Sequence, residues 1–343
     1  MKVAVLKGGR SLERQVSLRS GARVEDALHR LGHEVVPIDV GADLVDRLQS
    51  VRPDVAFVAL HGRGGEDGTV QELLDLVGVP YTASGPSACI RCMDKVLAKH
   101  ALQDAGLPTP EFYAFSQAAF EELGAGRALP AIEERLDFPI VVKPAGQGSA
   151  LGIKFAQRAE DVAGAIVAAF SYDTKVLLER HVAGRDLAVS VIDGPSGPEA
   201  LPVVEAVPNE EDFYDFEARY EIGRTTFTCP ADIGDAASAR AQELALAAYT
   251  TLGCAGFARI DLMLEDESGE LFLLEANAIP GLTDTSLLPL AAEAAGLPFD
   301  DLIARIVELA VARAPAWSAS RESTSSPSRP GTAPRRASST PRS

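Results

Sequence analysis

Arg259, Asp261, Glu275 and Asn277 stand at alternate positions of two apolar runs, FARIDLML (257–264) and LFLLEAN (271–277), with a turn-rich EDESGE between them. That is the spacing of a β-hairpin. Strict alternation sends Ile260, Leu262 and Leu264 to the core together with Phe272, Leu274 and Ala276, and leaves the four polar residues on the other face. If Leu264 lies opposite Phe272, Asp261 falls opposite Glu275 and Arg259 opposite Asn277, with Cβ atoms about 5 Å apart. Carboxylates that close repel, and a divalent cation removes the conflict. Two carboxylates and an amide oxygen are hard ligands suited to Mg²⁺, which keeps waters and phosphate oxygens as its other partners. A polar hairpin face without metal accounts for the same residues on this segment alone.

A second candidate is VVKPAGQGSALGI (141–153), which puts Lys143 at the end of a strand and three glycines in the following loop. Glycines let backbone N–H groups approach phosphate, and lysine supplies charge. A strand follows, so this is neither a Walker loop nor a dinucleotide fingerprint. An ordinary tight turn explains it equally, but beside Lys95 and the acidic hairpin it reads as a lid over a Mg-nucleotide. The strand VLLERHV ends in Glu179 before a break at Gly184, where backbone groups and one acid could meet an adenine edge. A plain connector with a solvated glutamate is the alternative.

These residues need a frame. At 343 residues, 46% of them hydrophobic, the chain can bury a core and divides by length into two or three domains. A net charge of −17 argues against a general nucleic-acid or anionic-membrane binder, which needs clustered cations. MKVAVLKGG has only four consecutive apolar residues, Val3–Leu6, and reads as a first strand, not a signal peptide. No run approaches a membrane span. Of the four cysteines only Cys89 and Cys92 are close, and with no second pair or nearby histidine, reduced thiols in a cytoplasmic protein are expected.

Strand and helix signals alternate from the start, which predicts an α/β architecture. Strands are expected over 2–6, 33–38 and 54–60, then 138–143, 153–155 and 175–179, then 187–191, 201–207, 257–264 and 271–275. Helices are expected over 17–31, 40–51, 94–106, 162–169, 236–252 and 300–313. Domains are placed at 1–95, 96–183 and 184–315. Residues 316–343, with five Arg and one Glu among Ser, Pro and Thr, read as a disordered tail.

Taken in order, GGRSLERQVSLRSG (8–21), HGRGGEDGTVQ (61–71), MDK (93–95), VVKPAGQGSALG (141–152), FYDFEARY (213–220), GFARIDLM (256–263) and LEANAIPGLTDTSLLP (274–289) resemble the D-alanine–D-alanine ligase family of the ATP-grasp superfamily. The resemblance runs from Lys2 to about Ala312. It implies a three-domain ATP-grasp fold with an N-terminal Rossmann-like domain. It implies that Lys95, Lys143 and Arg219 meet ATP phosphates under a loop spanning Gly148, Ser149 and Gly152, that Glu179 and Val182 hold adenine, and that Asp186, where relatives carry Glu, meets the ribose. Asp261, Glu275 and Asn277 match the set for two Mg²⁺ or Mn²⁺ ions. Glu13 matches the acid that binds the first D-alanine's ammonium in a network with Ser149 and Tyr220, and His61 the residue beside its carboxylate.

Arg259 and the Gly281 N–H match the oxyanion site, and Ser286 with Leu287 the site for the second carboxylate. The implied reaction phosphorylates one D-alanine and joins it to a second through an acyl phosphate, for peptidoglycan synthesis, in a cytoplasmic homodimer. Taken alone, Glu13 reads as a helix-start acid, Ser149 as a turn residue and His61 as a satisfied loop histidine. Ala278-Ile279 and Asp284-Thr285 depart from the usual Thr-Ser and Ser-His, which leaves a different second substrate (D-lactate, D-serine or another amino acid) as the alternative. A nicotinamide oxidoreductase is the rival from another class, but the first turn is KGGRS and Asp39 is the only acid placed to serve a ribose.

Overall fold

The computed structural model describes residues 1–208 and 225–313. Residues 209–224, among them Arg219 and Tyr220, and the tail at 316–343 lie outside the described residues.

Three sheets carry the chain. In the first, β1 (Lys2–Lys7) lies between β2 (Glu34–Asp39) and β3 (Val55–Val58), all parallel. Val3 to Leu6 are fully buried, as a strand covered on both faces requires. Helix α1 (Arg14–Arg30) buries Val16, Ser17, Ser20, Val24, Ala27 and Leu28 at helical spacing. Helix α2 is shorter than expected, Leu44–Val51, because Gly41 to Asp43 form a turn before it, and it ends at a left-handed Arg52 ahead of Pro53. Helices α3 (Thr69–Val77), α4 (Pro86–Met93) and α5 (Lys95–Asp104) follow. The Asp94 side chain caps α5 by accepting the N–H groups of Val96 (2.9 Å) and Leu97 (3.1 Å).

The second sheet is antiparallel, in the order β4 (Phe112–Ser116), β7 (Lys175–Arg180), β5 (Ile140–Pro144), β6 (Lys154–Ala156). Helices α6 (Gln117–Glu121), α7 (Leu129–Leu136) and α8 (Ala159–Phe170) accompany it. Strands β5 and β6 flank the glycine-rich loop as expected; β4 and the two helices after it are additions.

The third sheet runs β11 (Thr225–Thr228), β10 (Val204–Pro208), β8 (Gly184–Gly194), β12 (Phe257–Glu265), β13 (Leu271–Asn277), with β9 (Gly197–Ala200) on β8. Helices α9 (Asp235–Leu252), α10 (Leu287–Ala294) and α11 (Phe299–Ala312) complete it. One apolar core runs from the first sheet through α4 and α5 into the third, whereas the second sheet has its own around Ile140, Val162, Ile166 and Leu178.

The hairpin corrects the sequence reading in one respect. Asp261 pairs with Glu275 and Arg259 with Asn277, but Leu264 pairs with Leu271 and not Phe272. A β-bulge beyond Asp261 leaves Leu274 unpaired and shifts the register by one. Leu271 and Leu273 therefore take the core positions, while Phe272 turns under the Arg180 guanidinium and Leu274 faces a cleft.

Candidate active site

A cleft of about 800 Å³ opens between the second and third sheets. Its apolar walls come from β5, β6, β12 and β13, with Val141, Phe155, Met263 and Leu274 among them, and Lys143, Glu179, Val182, Asp186, Asp261, Glu275 and Leu287 also line it. An adjoining cavity of about 450 Å³ is bounded by Lys95, Gly148, Ser149, Arg259, Glu275 and Asn277. A chain of cation–carboxylate pairs marks this path. Lys95 Nζ lies 3.0 Å from Glu275 Oε2 and donates to the Gln147 carbonyl at 2.7 Å. Arg259 grips Asp261 with two hydrogen bonds of 2.6 and 2.7 Å, and Lys143 Nζ is 3.0 Å from Glu179 Oε2.

Glu179 is almost wholly buried. Burial alone would raise its pKa, yet Lys143 and Lys99 together hold it below the usual glutamate range. Lys99 was not singled out in the sequence. It sits one turn after Lys95 on α5, and that four-residue spacing was the signal available.

The glycine-rich loop reaches the first sheet. Ser149 and Ala150 adopt left-handed backbone (φ 53° and 57°), and the Ser149 hydroxyl donates a short hydrogen bond to Glu13 Oε1. Gly148 and Gly62 make room for that acid: a Cβ at Gly62 would come within 2.6 Å of Glu13 Oε2. Glu13 itself immediately precedes α1, and its Oε2 is buried with no hydrogen-bond partner among the described residues. Burial, reinforced by Glu66, pushes its carboxyl up to about 7. His61 is buried between Ser20 Oγ (3.0 Å from Nε2) and Glu66 Oε1 (3.2 Å from Nδ1).

The segment after β13 completes the wall. Asn277 Oδ1 accepts the Ile279 N–H at 2.9 Å, and a Cβ at Gly281 would come within 2.8 Å of the Ser286 hydroxyl. Ser286 Oγ accepts the Thr283 N–H at 2.9 Å, and Leu287 begins α10 behind it. Helix α1 holds this segment from outside: Ser20 Oγ accepts the Leu282 N–H (3.2 Å), and Arg23 donates to the Leu282 and Thr283 carbonyls and pairs with Asp284 at 3.1 Å. Neither Ser20 nor Arg23 was singled out in the sequence.

Asp39 is gripped by Arg14 at 2.6 Å and accepts the Gly9 N–H, so it is engaged as a structural acid. The four cysteines are free thiols, and Cys92 Sγ lies 3.6 Å from Cys254 Sγ.

Among the described residues, no group of three His, Cys, Asp or Glu side chains forms a metal cluster. The hairpin donor set is two carboxylates and one amide, and its chemistry suits a hard divalent cation.

Two family profiles match this chain: "D-ala D-ala ligase C-terminus" over residues 101–308 and "D-ala D-ala ligase N-terminus" over residues 43–84. The chain belongs to the D-alanine–D-alanine ligase family. Relatives in that family include the D-alanine–D-alanine ligase of Pelotomaculum thermopropionicum, 43% identical over 91% of this chain and 97% of its own. That of Desulforudis audaxviator is 44% identical over 91% and 99%. The crystal structure of the Bacillus anthracis D-alanine–D-alanine ligase superposes with a TM-score of 0.77 at 31% identity, covering 91% of this chain and 98% of that one. The same enzyme complexed with ATP gives 0.76 at 30% identity, with the same coverage. The three sheets thus have the α/β ATP-grasp architecture of the D-alanine–D-alanine ligase family.

Proposed function

We propose that the chain joins two D-alanines at the expense of ATP, releasing ADP and phosphate, as its ligase relatives are named for doing. One observation supports this reading best. Cations paired to carboxylates line the larger cleft, and beyond Ser149 of the adjoining cavity lies buried Glu13, whose Oε2 has no partner among the described residues, so phosphates and an ammonium each have a counter-charge.

In this reading ATP occupies the larger cleft, with its base near Glu179 and Val182, its ribose near Asp186 and its phosphates at Lys95, Lys143 and the Gly148–Gly152 loop, joined by Arg219. Glu13, supported by Ser149 and Tyr220, takes the first D-alanine's ammonium, with His61 beside its carboxylate. That carboxylate attacks the γ-phosphorus, forming an acyl phosphate and ADP. The second amine then attacks the acyl carbon and phosphate leaves. Negative charge gathers in both steps, so positioned cations provide most of the rate. Arg259 and the Gly281 N–H face the second-step oxyanion, and Ser286 with Leu287 the second carboxylate. Asp261, Glu275 and Asn277 would hold two Mg²⁺ or Mn²⁺ ions, which when bound neutralise phosphate charge.

The rest of the reading is a homodimer with domains bounded near 95, 183 and 315, working in the cytoplasm on peptidoglycan precursors without nucleic-acid or membrane partners. Among the described residues no helix is long and apolar enough to cross a membrane.

One feature favours a second reading. Asp284 stands in the loop ahead of Ser286, paired to Arg23, where relatives usually carry Ser. In this second reading the Asp284–Arg23 pair shifts the backbone that carries Ser286 beside the second substrate. The test is a substrate screen by ADP release. Release requiring ATP, Mg²⁺ and D-alanine together, with D-alanyl-D-alanine as product, is expected. Turnover only when D-lactate or D-serine is added to D-alanine selects the second reading, and no turnover with D-alanine in any pairing overturns both.

A further inference from the structure

Lys99 has no exposed surface and does not line the ATP cleft. Its Nζ donates to Thr109 Oγ1 at 2.6 Å, lies 3.6 Å from Glu179 Oε2, and stands 5.1 Å above the Phe112 ring. Thr109 Oγ1 in turn donates to the Leu273 carbonyl at 2.8 Å, on the strand that carries Glu275. The same Glu179 oxygen is 3.0 Å from Lys143 Nζ. One buried carboxylate oxygen therefore has two lysines, of which only Lys143 reaches the cleft.

That duplication needs a reason, because burying a second ammonium is costly and a single good partner would neutralise the acid. The proposed function supplies one. Lys143 has two anions to serve, Glu179 and the incoming triphosphate, and the phosphates carry more charge. Once Lys143 turns toward them, Glu179 retains Lys99 alone. Without Lys99 the acid would either hold Lys143 back or take up a proton, and a protonated Glu179 no longer offers both oxygens to the exocyclic amine of a base.

We propose that Lys99 is a positioning residue for the nucleotide: a standing counter-ion that keeps Glu179 ionised and aimed at the base while Lys143 is released to the phosphates. It acts through Glu179 and touches no substrate. Its tie through Thr109 to Leu273 fixes the base end of the cleft to the strand bearing Glu275. The inference rests on the assignment of Glu179 to the base end, and the experiment separates the two.

Lys99→Met, Glu179→Gln and the double variant are compared in the full chain, reading ADP release with ATP, with inosine triphosphate, whose base lacks the exocyclic amine, and with D-alanine varied. Lys99→Met is expected to raise KM for ATP about tenfold, the scale of one lost charged hydrogen bond, and to narrow the ATP-to-ITP preference by a similar factor. KM for D-alanine should stay within about twofold, and in the Glu179→Gln background the Lys99 change should add less than about twofold, since residues acting through one another are not additive. Lys99→Gln keeps a donor for Thr109 but loses the charge. It should give the same ATP phenotype, and it carries the test if the Met variant does not fold. A wild-type ATP KM and ATP-to-ITP ratio in Lys99→Gln, or effects that multiply in the double variant, overturn the proposal. If Glu179→Gln itself changes neither quantity, the base-end assignment falls and takes this inference with it.

Discussion

Glu13 carries a conflict that can be measured. Its carboxyl is pushed up to about 7, first by burial and then by Glu66, against lowering contributions from Ser149, His61 and Lys95. Below pH 4.5, its ordinary value, it is protonated in both folded and unfolded chains and contributes nothing. Between that value and about 7 the folded chain binds more protons, so stability falls as pH rises, and above 7 the penalty is complete. Glu13→Gln should therefore be more stable than the wild type at pH 8, by on the order of 3 kcal/mol, with little difference near pH 4.5. Denaturant melts at the two pH values check this, and an equal gain at both would refute it. An ammonium favours the ionised form, so KM for the first D-alanine should rise as pH falls below about 7.

At the level of elements, the β12–β13 hairpin shows what the bulge does. It adds Leu274 to the cleft wall without disturbing the pairing of Asp261 with Glu275. Leu274→Ala should raise KM for ATP about tenfold, the effect of losing part of one apolar side chain from a pocket, while KM for D-alanine holds. A larger effect on D-alanine than on ATP would place Leu274 elsewhere in the cycle.

The same hairpin shows what was legible in advance. Apolar runs with a turn between them specify the strands, and the face shared by Asp261 and Glu275 follows from the two-residue period. A bulge breaks that period without any Gly or Pro to announce it, so strict alternation puts Phe272 and Leu274 on the core face that Leu271 and Leu273 occupy. Glu13 and Ser149 could be named from the family motifs, but their contact spans 136 residues of chain and only the folded loop creates it. Ser20 and Arg23 were invisible for the same reason. Their partners lie about 260 residues away, and on a helix face they look like ordinary polar residues. Strand β4 gives little signal because FYAFS is short and follows the Pro108-Thr109-Pro110 break after one residue.

Across the whole molecule, Arg23 joins the N-terminal sheet's helix to the segment carrying Gly281 and Ser286. It donates to two carbonyls there, pairs with Asp284, and stacks 3.8 Å above the Phe299 ring. Arg23→Ala should release that segment. We expect kcat/KM for the second D-alanine to fall about tenfold to a hundredfold, on the scale of two or more charged hydrogen bonds, with KM for ATP unchanged. Initial rates with ATP and D-alanine varied separately decide it; a defect confined to ATP would contradict the assignment.

The two apolar cores also divide the molecule into a frame and a jaw. The frame is the first and third sheets, welded by one continuous interior that includes α4 and α5, and it holds Glu13, Arg259 and Ser286 alike. The jaw is the second sheet, which keeps its own oil. Between them lie a small apolar cluster of Val96, Ala145 and Leu177 and a set of polar ties: Arg63 to Asp173, Lys175 to Asp94, Ser149 to Glu13. A seam of that kind can part and re-form without wetting either core. Separating the two halves would break mainly polar contacts, so dissolved salt should weaken the seam more than it weakens either apolar core.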